Sequence, residues 1–124
     1  MTLEQLESDP WVDPAHFPTD LVRRCYGLRR KPLHSFQIDD CRLMVSQGFS
    51  INYVVPIAIS YLEECLFAEG SFYQGDLLQA VLNVDRKFWI AHPNLWEKVH
   101  ELIKDRLGDL DTRKIRYGQF LGAF

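Results

Sequence analysis

Three cysteines, four histidines and a set of carboxylates are the side chains of this chain that could do chemistry. Cys25, Cys41 and Cys65, together with His34, are the candidates for a zinc site or for a thiol nucleophile and its base. Their spacing fits neither: there is no Cys-x-x-Cys pair and no match to the ligand spacings of zinc sites, so a Cys/His dyad has no anchor. His92, in Trp89-Ile-Ala-His-Pro93, stands just before a helix start and reads as a capping or packing residue. Asp39 with Asp40, and Glu63 with Glu64, are adjacent pairs. Neighbours on a helix point about a third of a turn apart, so neither pair is two carboxylates sharing one site. Asp85 and Asp109 read as ordinary charged surface. Gly70 and Gly75 lack the lysine and the spacing of a phosphate loop, and no Gly-x-Ser-x-Gly is present. The pattern predicts no catalytic residue, no metal and no cofactor.

What remains is recognition. Residues 32–80 carry six acids, Asp39, Asp40, Glu63, Glu64, Glu69 and Asp76, against Arg42 alone. They fall on two predicted helices and on the corner Glu69-Gly-Ser-Phe-Tyr-Gln-Gly-Asp76, where two glycines bracket Phe72 and Tyr73. An aromatic centre with an acidic surround suits a basic protein partner. The predicted contacts are Asp39, Asp40, Glu63, Glu64, Glu69, Tyr73 and Asp76. Gly70, Phe72, Gly75, Leu77 and Leu78 are expected to build the corner. The alternative partner is nucleic acid or a regulatory protein, held by a basic face of Arg23, Arg24, Arg29 and Arg30, with Arg113, Lys114 and Arg116 able to extend it. No recognition helix or stacking platform accompanies those bases, and the net charge of −3 disfavours a phosphate-coating role. The five bases in residues 21–31 suit a solvated helix face and a C-terminal turn that complements the helix dipole.

These residues need elements to hold them. The 124 residues, 47% hydrophobic, suffice for one domain with a real core. Pro10, Pro14 and Pro18 make residues 1–20 an irregular arm, with a short helical turn at Leu3–Glu7 and with Trp11 and Phe17 pinning it. Thr19 caps a helix whose inward face is Leu21, Val22, Cys25 and Leu28, and Pro32 stops it. A second helix runs from Phe36 to Gln47 with Ile38, Cys41 and Val45 inward and Gly48 as its left-handed cap. Ser50 opens a third, taken as the central helix, which runs towards Ala68 with Pro56 either in its first turn or at a kink. Its packing stripe is Ile57, Tyr61, Leu62, Cys65 and Leu66. Glu63 and Glu64 sit near its C-terminal end, where the dipole disfavours acids. Asp76 opens the next helix, Phe88 and Trp89 lie on a short segment, and Pro93 starts a helix that Gly108 closes. A last helix lies between Leu110 and Phe124. No segment alternates as a strand does. The expected fold is all-α, a compact single-domain bundle of about five to seven helices spanning 1–124. Buried thiols, an acidic N-terminus unlike a signal peptide, and no apolar run long enough for a bilayer predict a cytoplasmic protein without membrane contact.

The order Leu3-Glu-Gln-Leu-Glu7, Leu28-Arg-Arg-Lys-Pro-Leu33, Asp40-Cys-Arg-Leu43 with Gln47, Val55-Pro-Ile-Ala58 and Glu69–Leu78 with Phe88-Trp89 resembles the CdiI-type immunity proteins of bacterial contact-dependent growth inhibition. The likeness covers roughly residues 3–100, and the 69–78 block is its most specific part. Gln37 stands where a Thr or Ser cap is expected, and Cys41 where Leu is commoner. The resemblance implies a cytosolic, non-catalytic inhibitor. Such a protein binds the C-terminal toxin domain of its cognate CdiA effector one-to-one and blocks its active site. A basic, nuclease-type toxin is expected, whose phosphate site an acidic patch can imitate.

Overall fold

The computed structural model describes residues 1–7 and 20–124. The expectations for Pro10, Pro14 and Pro18, the pinning by Trp11 and Phe17, and the Thr19 cap lie outside the described residues. The fold is all-α: the described residues form nine α-helices, more than the pattern suggests because several are only one or two turns long. They are α1 (Leu3–Glu7), α2 (Asp20–Arg29), α3 (Ile38–Gln47), α4 (Ile51–Glu64), α5 (Asp76–Leu82), α6 (Arg86–Ala91), α7 (Pro93–Ile103), α8 (Leu107–Thr112) and α9 (Gly118–Leu121). A 3-10 turn, Leu33–Ser35, joins α2 to α3.

The helix ends follow local chemistry in several places. Gly48, at φ 75°, closes α3 in the left-handed conformation that glycine adopts without strain. Asp85 caps α6, its carboxylate accepting from the Lys87 N–H at 2.7 Å, so it is a helix cap rather than ordinary surface. Pro93 is the first residue of α7, where its missing N–H costs nothing. His92 precedes it and packs its ring 4.5 Å from Phe88. Gly108 does not end α7, which stops at Ile103; it lies inside α8 instead.

Two expectations change in α4. It starts at Ile51 and stops at Glu64, well before Ala68, so Cys65 leaves the packing stripe and is exposed. Pro56 sits inside the helix on its open side, in line with exposed Asn52 and Ser60, so the carbonyl that loses its partner faces solvent. Ser50 holds a left-handed φ of 54° and makes no side-chain cap. Its hydroxyl donates to Glu7 at 2.9 Å.

The most enclosed element is α5 rather than α4. All seven residues of Asp76–Leu82 are buried, against α3 on one side and α4 on another. α4 also packs on α3 and α7 through Val54, Val55, Ala58, Ile59 and Leu62, and keeps its other side open. The core extends to Trp89, Val99, Ile103, Leu110, Ile115 and Phe120. The C-terminal residues are tied in. The buried Gln79 amide of α5 clamps the Arg116 backbone, accepting from its N–H at 2.8 Å and donating to its carbonyl at 2.9 Å. Trp96 donates to the Phe120 carbonyl at 2.9 Å.

α1 is fastened by an ion pair that crosses the fold. Arg29, 1% exposed, donates to the Glu7 carboxylate at 3.0 and 3.3 Å. The helix-face pattern places Arg29 in solvent. It is buried because α1 packs on α2 and covers it.

Candidate functional site

The corner between α4 and α5 is built around two carboxylates and a guanidinium. Asp39, in the first turn of α3, accepts from the Ser71 N–H at 2.8 Å. Asp76, the first residue of α5, accepts from the N–H groups of Gly70 at 2.7 Å and Phe72 at 3.0 Å. Arg42 donates to Asp39, lies 3.9 Å from Asp76 and stacks 4.5 Å from the Phe72 ring centroid. Three amides of the loop and one buried cation thus satisfy two acids. Burial pushes the Asp39 carboxyl up, but the hydrogen bonds from Arg42 and Ser71 outweigh it and hold it well below the usual carboxylate range. Gly70 must be glycine here, because a Cβ would stand 2.7 Å from the Asp39 carboxylate and 3.0 Å from that of Asp76. Gly75 has φ 96°, and a Cβ there would meet Ile115 at 2.6 Å.

This wiring sorts the residues expected at the surface. Asp76, expected among the exposed members of the corner, is only 4% exposed with its carboxylate turned inward. Phe72, expected to build the corner, is 71% exposed, beside Tyr73 at 46%. The two exchange places because the loop folds back over Asp76, which sends the Phe72 N–H inward and its ring outward. Asp40 is also committed internally, accepting from Lys31 at 2.7 Å and from the Gln37 N–H at 2.9 Å, with its side chain 15% exposed. Glu63, Glu64 and Glu69 are exposed and form no ion pair among the described residues.

Two open clefts flank Tyr61, whose hydroxyl donates to the Phe36 carbonyl at 2.6 Å. One, of about 400 Å³, lies between α4 and the Leu33–Ser35 turn, with Tyr53, Ile57 and Glu64 on its α4 side. The other, of about 450 Å³, lies between the start of α3 and the corner, with Asp39, Glu69 and Ser71 on its walls. The structure therefore brings Glu64 and Glu69 to neighbouring clefts, while Phe72 and Tyr73 line a third depression with Arg42. Tyr53 and Ile57 were not singled out as surface features by their sequence pattern. The available signal was Tyr53, Ile57, Tyr61 and Glu64 at helical spacing, two phenols and a carboxylate on one α4 face.

The basic cluster on α2 is mostly neutralised. Arg23 pairs with Asp20 at 3.1 Å, Arg24 with Asp39 at 3.4 Å, buried Arg29 with Glu7 and Lys31 with Asp40. Arg113 stacks 4.1 Å from the Phe67 centroid and donates to Gln74. Among the described residues, no group of three or more His, Cys, Asp or Glu is gathered so as to hold a metal. Burial pushes the Cys41 thiol up to about 12 and raises that of Cys25. Neither thiol is poised as a nucleophile.

The family model of CDI immunity proteins, CdiI_3, matches residues 5–99. The chain belongs to this family. No match was found among curated proteins or among solved structures. As an immunity protein it is a toxin-neutralising partner by family, and the matched stretch contains α2 to α6, the whole corner and both clefts. The last two helices of this immunity protein lie beyond it. The segment that joins them still reaches the corner, since Ile115 packs against Gly75. No helix among the described residues is long and apolar enough to cross a membrane.

Proposed function

We propose that this immunity protein binds the C-terminal toxin domain of its cognate CdiA effector, one-to-one and in the cytoplasm, and covers the toxin's active site without catalysis of its own. Family membership over residues 5–99 is the observation that carries this reading. The acids that no described base neutralises support the choice of a basic, nuclease-type toxin. Glu63, Glu64 and Glu69 offer carboxylates to the partner, and Tyr73 offers an aromatic anchor beside Phe72. Asp39 and Asp76 act one layer down, holding the corner that presents Glu69 and Tyr73, while Asp40 holds the start of α3.

Co-expression provides the test. The C-terminal toxin domain of the cognate CdiA effector is expressed in a bacterial host with and without the immunity protein. The expected results are rescue of growth and co-purification as an equimolar complex. Toxicity that persists at full expression of the folded immunity protein would overturn the reading. A nuclease assay on the purified toxin, with the immunity protein titrated in, separates active-site blockade from binding elsewhere.

A further inference from the structure

The cleft between α4 and the Leu33–Ser35 turn has the make-up of a cation receptor. Leu33 and Ile57 supply apolar walls, Tyr53 and Tyr61 supply half-buried rings, and Phe36 lies buried behind them. Glu64 stands at the rim, exposed and without an ion pair among the described residues. It is the last residue of the 14-residue α4, so the negative end of the helix dipole reinforces its charge. An acid at that position works against the stability of its own helix. A cation placed there relieves both the carboxylate and the unsatisfied helix carbonyls.

At about 400 Å³ the cleft is within the range of pockets that hold small groups. Long basic side chains match its two zones, because their methylene stems lie on apolar surface while their charged heads seek an acid or an aromatic face. A neutral apolar side chain would leave Glu64 facing it without a partner. The neighbouring cleft also carries an acid without an ion pair among the described residues, Glu69, but its Asp39 is already matched by Arg24 and Arg42, and its apolar lining is only Ile38 and Tyr61. The asymmetry singles out the Glu64 side.

We propose that this cleft receives an arginine or lysine side chain of the toxin, with the stem against Leu33 and Ile57 and the cationic head between Glu64 and the Tyr61 ring. The assignment rests on the toxin-binding reading above and names the place on this chain where the partner inserts.

Calorimetric titration of the toxin domain into the wild type, Glu64→Gln and Ile57→Lys tests it. Circular dichroism melts confirm that each variant is folded. Glu64→Gln should weaken binding roughly tenfold, by a factor that shrinks as salt rises, because a charge pair is lost. Ile57→Lys, which fills the cleft with a cation of its own, should weaken it roughly a hundredfold. Both variants binding within a factor of about two of wild type would overturn the cleft while leaving the immunity reading intact. Loss with Ile57→Lys but not with Glu64→Gln would overturn the cationic occupant. A second arm needs no toxin: ¹⁵N-labelled protein is titrated with N-acetyl-arginine amide, and with N-acetyl-leucine amide as control. Shifts at Tyr53, Ile57 and Glu64 with the arginine derivative, absent with the leucine one and lost in Glu64→Gln, are expected. Their absence would overturn the cation site. Such shifts in a protein that fails to bind the toxin domain would instead overturn the immunity reading.

Discussion

Asp76 illustrates how little a residue's type says about its exposure when backbone amides can reach it. Its carboxylate takes the N–H groups of Gly70 and Phe72, so Asp76→Ala should leave two loop donors without their acceptor. A loss of roughly 1–3 kcal/mol is expected in urea denaturation. Gly70→Ala should also destabilise, since its methyl would press on both carboxylates. Asp39 adds a pH dependence. Its folded carboxyl titrates below the unfolded one, so its contribution is fully present above the unfolded pKa, about 4, and is lost as pH falls through the folded value. Melting temperatures of wild type and Asp39→Asn should converge below that pH, and a constant gap down to low pH would contradict the assignment. The thiols divide by burial. Cys65 should react with a thiol reagent in the native protein, while Cys25 and Cys41 should react only on unfolding. Glycine spacing marked the corner in the sequence, because tight turns demand it. Which of Asp76 and Phe72 turned outward was not legible, because that depends on how residues 69–75 fold back against α3.

Among the elements, the locally determined ends were readable: the Gly48 cap, Pro93 at the start of α7 and the acid in the first turn of α3 are all encoded within a few residues. The end of α4 at Glu64 was not, since the apolar pattern continues through Leu66. Arg29 was also misplaced. On an isolated α2 it belongs to the charged side, and burial follows from the docking of α1 through Glu7 and Leu3. That dependence can be measured. Glu7→Ala should cost roughly 1.5–3 kcal/mol, because it removes charged hydrogen bonds to a buried guanidinium. Replacement of Glu4, which forms no ion pair among the described residues, should cost far less.

At the scale of the molecule, the all-α architecture followed from the absence of any alternating segment and from short, capped, amphipathic stretches. The candidate contact face was legible in part. Exposed Glu63, Glu64, Glu69 and Tyr73 were singled out by charge and by place in the corner, whereas the cleft beside them was hidden because Tyr53, Ile57 and Tyr61 look like core residues at helical spacing. The family match ends at residue 99, yet the corner leans on Ile115 and α5 clamps Arg116. The C-terminal segment therefore acts as a brace for the corner and for α5. On the proposed function, Glu63 and Glu64 neutralise basic residues of the toxin, because no described base satisfies them. The most direct test is the affinity of the Glu63→Lys/Glu64→Lys double variant for the CdiA C-terminal toxin domain at low and high salt. The expected result is a folded protein whose affinity falls by two or more orders of magnitude at low salt, roughly, with a flatter salt dependence than wild type. Unchanged affinity and unchanged salt dependence would contradict it.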